Sequence, residues 1–179
     1  MNIFYLHHEP TKCAEQHVDK HAVKMILEYA QLLSTAHRVL DGNVTIGLSD
    51  SGRKRTTYVL PDSRDSILYS ATHINHPSAV WVRHNQQNYY WLFALFEALM
   101  NEYTHRYGKV HATSRLYDAL YHYPKNIPLS IFTQPTPAMP DEFKVDGDSI
   151  QSYRNYYNGA KSHMFKWKNR SVPDWIIIQ

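Results

Sequence analysis

Five polar residues, His17, His21, Lys24, Glu28 and Thr35, follow one another at spacings of four, three, four and seven. At about 100° per residue these spacings put them on one side of a helix. On the helical wheel they fall at the edge of an apolar stripe, not opposite it. Titratable groups placed there are half-desolvated, the setting in which pKa values shift and acid–base chemistry opens. The same residues also allow a plainer role, a solvated face with a Lys24–Glu28 i,i+4 ion pair worth roughly a few tenths of a kcal/mol. His17 and His21, four apart, have the spacing of a helical metal-chelating pair, with His73 or His76 as a third ligand. Without a fixed third ligand that pattern assigns no metal.

Three further clusters mix rings with cations. His73-Ile74-Asn75-His76-Pro77 leads to Trp81, Arg83 and His84, a set able to stack a base and hold a phosphate. Turn chemistry alone also accounts for Asn75 and Pro77. Glu102, His105, Arg106, Lys109 and His111 crowd the end of a second long helix, where cations complement the helix dipole. Arg106 with Lys109 would also make a phosphate clamp. Near the end, Tyr153, Arg154, Tyr156, Tyr157, Lys161, Lys166, Trp167, Lys168 and Arg170 alternate rings with positive charge. That segment has the most nucleic-acid-like composition, although tyrosines at helical spacing also build cores.

These residues need elements to hold them. After a short extended segment, Asn2 to Leu6, the pattern predicts one long helix from Pro10-Thr11 to about Leu40, stopped by Asp41-Gly42. Its stripe is Ala14, Val18, Ala22, Met25, Tyr29, Leu32, Ala36 and Leu40. Residues 43–61 hold two β-branched runs around Ser49-Asp50-Ser51-Gly52 and read as a hairpin or a loop insertion. Short helices are expected from Pro61-Asp62 to Ser70 and from Pro77 to Arg83. A long one is expected from Asn85 to Tyr107, with Gly108 as its left-handed end. A further helix spans Thr113 to Tyr121. Five prolines in 124–142 predict an extended strap. Asp148 with Gln151 caps a last helix to about Phe165. The expected fold is all-α, a single compact domain over 1–179.

Composition bounds the function. At 179 residues the chain can bury roughly two-thirds of its unfolded surface in one core. Cys13 is its only cysteine, which suits a reducing cytoplasm and excludes an intrachain disulfide and a Cys-based structural zinc site. No stretch is long and apolar enough to span a bilayer, and the start lacks a basic leader. A net charge of +3 permits a nucleic-acid partner without demanding one, and the twelve histidines add charge below about pH 6.5. No cofactor motif is present.

Several of these segments together resemble a family. Cys13-Ala14-Glu15-Gln16-His17, a helix continuing to Leu33, then His76 and Trp81, are similar to the N-terminal half of the pyrimidine-dimer DNA glycosylases of tailed phages, the endonuclease V type. Glu102 to Gly108, Met139 to Lys144 and Arg170 to Trp175 resemble its second half. The match runs in order along most of the chain and skips 43–72; a group of uncharacterised phage proteins shares these motifs more closely. The resemblance implies a helical fold, a DNA or nucleotide partner, base flipping, and glycosidic cleavage through a Schiff base on an N-terminal amine assisted by a glutamate. His17 matches the family histidine. The position of the catalytic glutamate falls on Lys24, leaving Glu28 one turn later, and the second residue is Asn2, too large for routine removal of Met1.

Two functions follow. In the first, an enzyme acts on a nucleotide linkage, with Lys24, Lys20 or Met1 as the amine and Glu28 and His21 as the acid–base pair. Arg83 and Arg106 hold phosphate in the same pocket, and Asn75, His76, Trp81, Lys109, Tyr153, Lys161 and Arg170 bind around it. In the second, a non-catalytic binder keeps the fold and docks a nucleotide or a host protein.

Overall fold

The computed structural model describes residues 1–48 and 51–177. Residues 3–6 thread the core as an extended segment that joins no sheet, with all four side chains buried. Helices α1 (Pro10–Gln16) and α2 (Asp19–Asp41) come next, then an antiparallel hairpin of β1 (Asn43–Leu48) and β2 (Lys54–Val59). Val44 faces Tyr58 and Leu48 faces Lys54 in its register. Helices α3 (Arg64–Ile67), α4 (Pro77–His84), α5 (Gln86–Tyr107), α6 (Tyr117–Tyr121) and α7 (Ser149–Tyr156) complete the chain. The fold is mainly helical with one small hairpin. The expected turn between the strands includes Ser49 and Asp50, which lie outside the described residues.

The apolar stripe does what its periodicity predicts. Ala22, Met25, Tyr29, Leu32 and Ala36 are buried on α2, which packs against α4 and α5; Ala14 is buried on α1, Val18 is buried just before α2, and Leu40 is half-buried. On α5, Tyr89, Leu92, Leu95, Phe96 and Leu99 answer from the other side. Asn85 starts α5 by accepting the Asn88 N–H at 2.9 Å, and Gly108 ends it at φ 64°, the left-handed region open to glycine. No helix among the described residues is long and apolar enough to cross a membrane.

The single long helix expected from Pro10 to Leu40 is two. His17 and Val18 are extended, with ψ of 134° and 154°. The reason is tertiary. The Arg106 guanidinium on α5 donates to the carbonyls of Glu15 and His17, each at 2.9 Å, and the Trp167 indole donates to that of Gln16 at 3.0 Å. The carbonyls that would continue α1 into α2 are taken from outside the helix. Asp19, at the start of α2, accepts from Arg106 at 2.9 Å and from the Lys168 N–H at 2.9 Å.

Arg38 acts likewise on the segment expected to be helical from 62 to 70, which is helical only over Arg64–Ile67. Its five N–H groups donate to the carbonyls of Tyr58, Asp65, Leu68 and Tyr69 and to the Asp65 carboxylate. The segment expected as one helix over 113–121 opens as a 3₁₀ turn at Ala112–Leu116 before α6. Helix α7 stops at Tyr156, not Phe165, and loosens into a π turn over Tyr157–Lys161. There Gly159 sits so close to the Phe143 ring that a Cβ would collide with it. Asp148 caps α7 by accepting the Gln151 N–H at 2.9 Å, but the Gln151 side chain bonds Asn155, so the cap is one-sided.

The proline-rich segment crosses the surface without regular structure from 124 to 138, pinned by Asn88 and Trp81 through Thr133 and by Ser149 through Pro135.

Removing the Arg106 guanidinium should strand Glu102 and Asp19 and leave the α1 carbonyls unpartnered. Arg106→Met is expected to cost about 3–5 kcal/mol in urea unfolding, against a change within about 0.5 kcal/mol for exposed Lys109→Ala. A loss below about 1 kcal/mol for Arg106→Met would show that the guanidinium does not hold these elements together.

Candidate functional site

The N-terminal segment lies along α2, and its register fixes what meets at its end. The Phe4 N–H donates to the Tyr29 hydroxyl at 3.3 Å, and the Phe4 ring stacks on His21 with centroids 4.2 Å apart. Three residues of extended chain span about 10 Å, as do seven residues of helix. Phe4 at His21 therefore brings Met1 to Glu28. The Met1 amine lies 3.9 Å from Glu28 Oε2, while Lys24 Nζ lies 3.0 Å from Oε1. Two amines thus flank one carboxylate. The carboxylate side chain is 14% exposed and that of Lys24 is 69% exposed.

His76 joins this cluster from the start of α4, where its Nδ1 accepts the Ser78 N–H at 3.1 Å. Burial lowers its imidazole pKa, and the Met1 ammonium and His73 nearby push the same way against Glu28. His73 is exposed at φ 48°, a left-handed conformation uncommon for a residue with a Cβ. Its neighbour Thr72 is tied to Thr35 of α2, whose hydroxyl accepts the Thr72 N–H at 3.2 Å. That bond lays residues 72–76 along α2.

The other polar residues of the α2 stripe are internal. His17 Nδ1 donates to the Cys13 carbonyl at 2.7 Å, so its Nε2 accepts from the Tyr29 hydroxyl at 2.9 Å. His21 Nδ1 bonds the Tyr157 hydroxyl at 2.7 Å. Their ring centroids are 6.5 Å apart, and both are engaged with protein, so they do not form the chelating pair their spacing allows. Among the described residues His7, His8 and Glu9 bring three potential ligand atoms within 4.8 Å of one another. His7 Nδ1 there already accepts the Glu9 N–H at 3.0 Å.

The expected convergence of His21, Lys24, Glu28, Arg83 and Arg106 on one pocket does not occur. Arg106 has no exposed side chain. Four of its N–H bonds go to Glu102, Asp19, Glu15 and His17, so it lines no pocket and reaches no phosphate. Burial would raise the Glu102 pKa, but hydrogen bonds from Arg170 and Arg106 outweigh it and hold the carboxyl ionised below the usual range. Arg170 is committed to this cluster at 2.8 Å. Tyr153 is buried, with its hydroxyl on the Thr136 carbonyl, and Lys161 rests over the Tyr156 ring. Trp81 is buried against Thr133. Lys20, Asn75 and Lys109 are exposed.

Arg83 differs from the other arginines. Its Nη1 is buried with no hydrogen-bond partner among the described residues, and burial lowers its pKa against the opposing pull of Tyr58. Such a desolvated, unsatisfied guanidinium nitrogen is rare and calls for a partner.

Sequence reading missed the Met1–Glu28 approach, because only the packing of Phe4 on His21 reveals it. It also missed His37. His37 Nδ1 accepts from Arg64 at 2.8 Å, and Nε2 bonds the Tyr89 hydroxyl at 2.8 Å. Searches against family models, curated proteins and solved structures return no match to this chain.

Burial keeps three of these histidines neutral, holding His17 and His37 down to about 4 and His21 to about 3, against 6.5 ordinarily. Between those values the unfolded chain binds protons that the folded chain refuses. Stability is then full above pH 6.5 and falls as pH drops from about 6.5 towards 4, continuing to 3 for His21. Glu102, whose pKa is lowered from 4.5, adds its own loss only below that value. Urea midpoints measured from pH 7 to 4 should decline steadily; a flat profile would mean the buried imidazoles are not held neutral.

Proposed function

We propose that this chain acts on a nucleic acid or nucleotide at a sugar carbon, through an amine held beside Glu28, in the manner of a glycosylase or lyase. One observation carries the reading: the Met1 amine and Lys24 Nζ flank a half-buried carboxylate, with His76 alongside. Such a group set suits imine chemistry. A free amine attacks C1′ of the sugar, the glycosidic bond breaks with its electron pair on the departing base, and a protonated neighbour supplies the proton. Glu28 then passes a proton to the ring oxygen O4′ as the C1′–O4′ bond opens and the imine forms. On a site already lacking its base, amine and aldehyde condense directly with loss of water.

The Lys24 ammonium is open to solvent and paired with Glu28 at 3.0 Å, whereas Met1 approaches the same carboxylate from the covered side. This geometry favours the amine that Met1 carries. The same cover over Met1, whose side chain is 6% exposed, favours a second reading in which the site holds a nucleotide without cleaving it.

Borohydride reduction on an abasic DNA strand separates these readings. The proposal expects a covalent adduct that survives Lys24→Ala and disappears on acetylating or extending the N-terminus. Glu28→Gln is expected to slow trapping about 10²-fold or more, the usual contribution of a positioned acid–base group. Loss of trapping in Lys24→Ala alone would move the nucleophile to Lys24. Binding without trapping on any substrate would leave the binder.

A further inference from the structure

We infer that the β1–β2 hairpin is a ribbon that engages duplex nucleic acid. The inference rests on the nucleic-acid reading above and adds the form of the partner. Among the described residues from 43 to 59 none is buried, and Val44, Ile46 and Leu48 are 59%, 64% and 76% exposed. A lone two-stranded hairpin is marginal in water, so this one is held from outside. Arg38 does that at its base. It donates to the Tyr58 carbonyl at 2.9 Å, and the Leu60 N–H following β2 donates to Asp65 at 2.9 Å. Gly42 lets β1 leave α2 in contact with the Arg38 carbonyl, where a Cβ would collide. The base is therefore fixed and the far end is presented to solvent.

The presented end is cationic. Residues 43–59 hold Arg53, Lys54 and Arg55 against a single carboxylate, Asp50. Lys54 and Arg55 are exposed and begin β2; Lys54 lies at the end away from Arg38, while Arg55 lines a cavity that Arg38 and Asp65 also line. One face carries Val44, Ile46 and Leu48 opposite Tyr58, Thr56 and Lys54; the other carries Thr45 and Thr57 with Arg55. Two strands about 4.8 Å apart, with their side chains, match a major groove about 12 Å wide. Lysine and arginine there meet phosphates and guanine edges, threonine reaches either kind of base, and apolar groups meet thymine methyls.

The placement relative to the proposed site is consistent with this partner. From Glu28 to Asp41 the α2 axis covers about 20 Å, close to the rise of six base pairs. A duplex held by the ribbon would have a nucleotide about half a helical turn away at the amine. Arg83 lies on α4 near Tyr58 of β2, with a buried Nη1 that lacks a partner among the described residues.

The test is fluorescence anisotropy of the whole chain with a short labelled DNA duplex and with the matching single strand, over a series of sodium chloride concentrations. The wild type should bind duplex more tightly than single strand. The Lys54→Glu, Arg55→Glu double variant should lose about tenfold or more in duplex affinity, and its log-affinity against log-salt slope should shrink by about two. Its circular dichroism should not change, since neither residue is buried. Equal duplex binding by variant and wild type, or no preference for duplex, overturns the inference. A wild-type dimer that the variant abolishes overturns it too, making the ribbon a contact between copies. Trapping on an abasic single strand, which needs no ribbon, should persist in the variant. If trapping is absent while ribbon-dependent duplex binding remains, the amine chemistry falls and the ribbon stands.

Discussion

A guanidinium without solvent is expensive to bury, and here Arg106 is placed where four elements of the chain must come to it. Its donors reach the end of α1 through Glu15 and His17, the start of α2 through Asp19, and α5 itself through Glu102, which in turn holds Arg170 of the tail. Each partner is a charge or a carbonyl that would otherwise be desolvated and unpaired. The cluster is thus satisfied only when all four elements are in register. It breaks what would be a continuous helix at His17 and Val18, and that break sets the direction of α2. Arg38 repeats the device at the other end of α2, gathering carbonyls from β2, α3 and the turn after it. Helix α2 is held at each end by a buried arginine.

Between these ends the packing is aromatic and histidine-rich, and the buried imidazoles of His17 and His21 bond to protein groups. The Phe4 N–H donates to Tyr29, Tyr29 to His17, and His17 to the Cys13 carbonyl, while the Cys13 thiol donates to the Phe4 carbonyl at 3.1 Å. That ring of bonds returns to the residue where it starts. It fixes the N-terminal segment against α2 and explains why Cys13, with its pKa pushed up to about 12 by burial, is a packed thiol and not a nucleophile. Four of the histidine and tyrosine positions that look like chemistry in the sequence, His17, His21, Tyr153 and Tyr157, are in fact this internal polar lining.

What the sequence made legible is what period and local chemistry control. The α2 and α5 stripes, the Asp148 cap, the Gly108 end and the hairpin all follow from neighbours within a few residues. The break at His17 does not, because nothing local forbids helix there; the decisive donors come from Arg106 and Trp167, far along the chain. The same holds for α3, which Arg38 shortens, and for α7, which yields at Gly159 to Phe143. Charge near a helix end had two explanations in the sequence for Arg106, dipole and phosphate, and the structure supplies a third: a buried cap for a different helix.

The polar stripe shows how a correct face can still misidentify a group. Lys24 and Glu28 do share an edge of α2, as their spacing requires, but the edge alone does not say which of them faces a partner. That choice is made by the N-terminal segment. Its four buried side chains and the Phe4–His21 stack leave no slack, and three extended residues back from Phe4 end one turn beyond Lys24, at Glu28. A glutamate at position 24 would meet solvent in this register, as the Lys24 side chain does. The carboxylate one turn later is the one that residue 1 reaches, because of how residues 1–6 are seated.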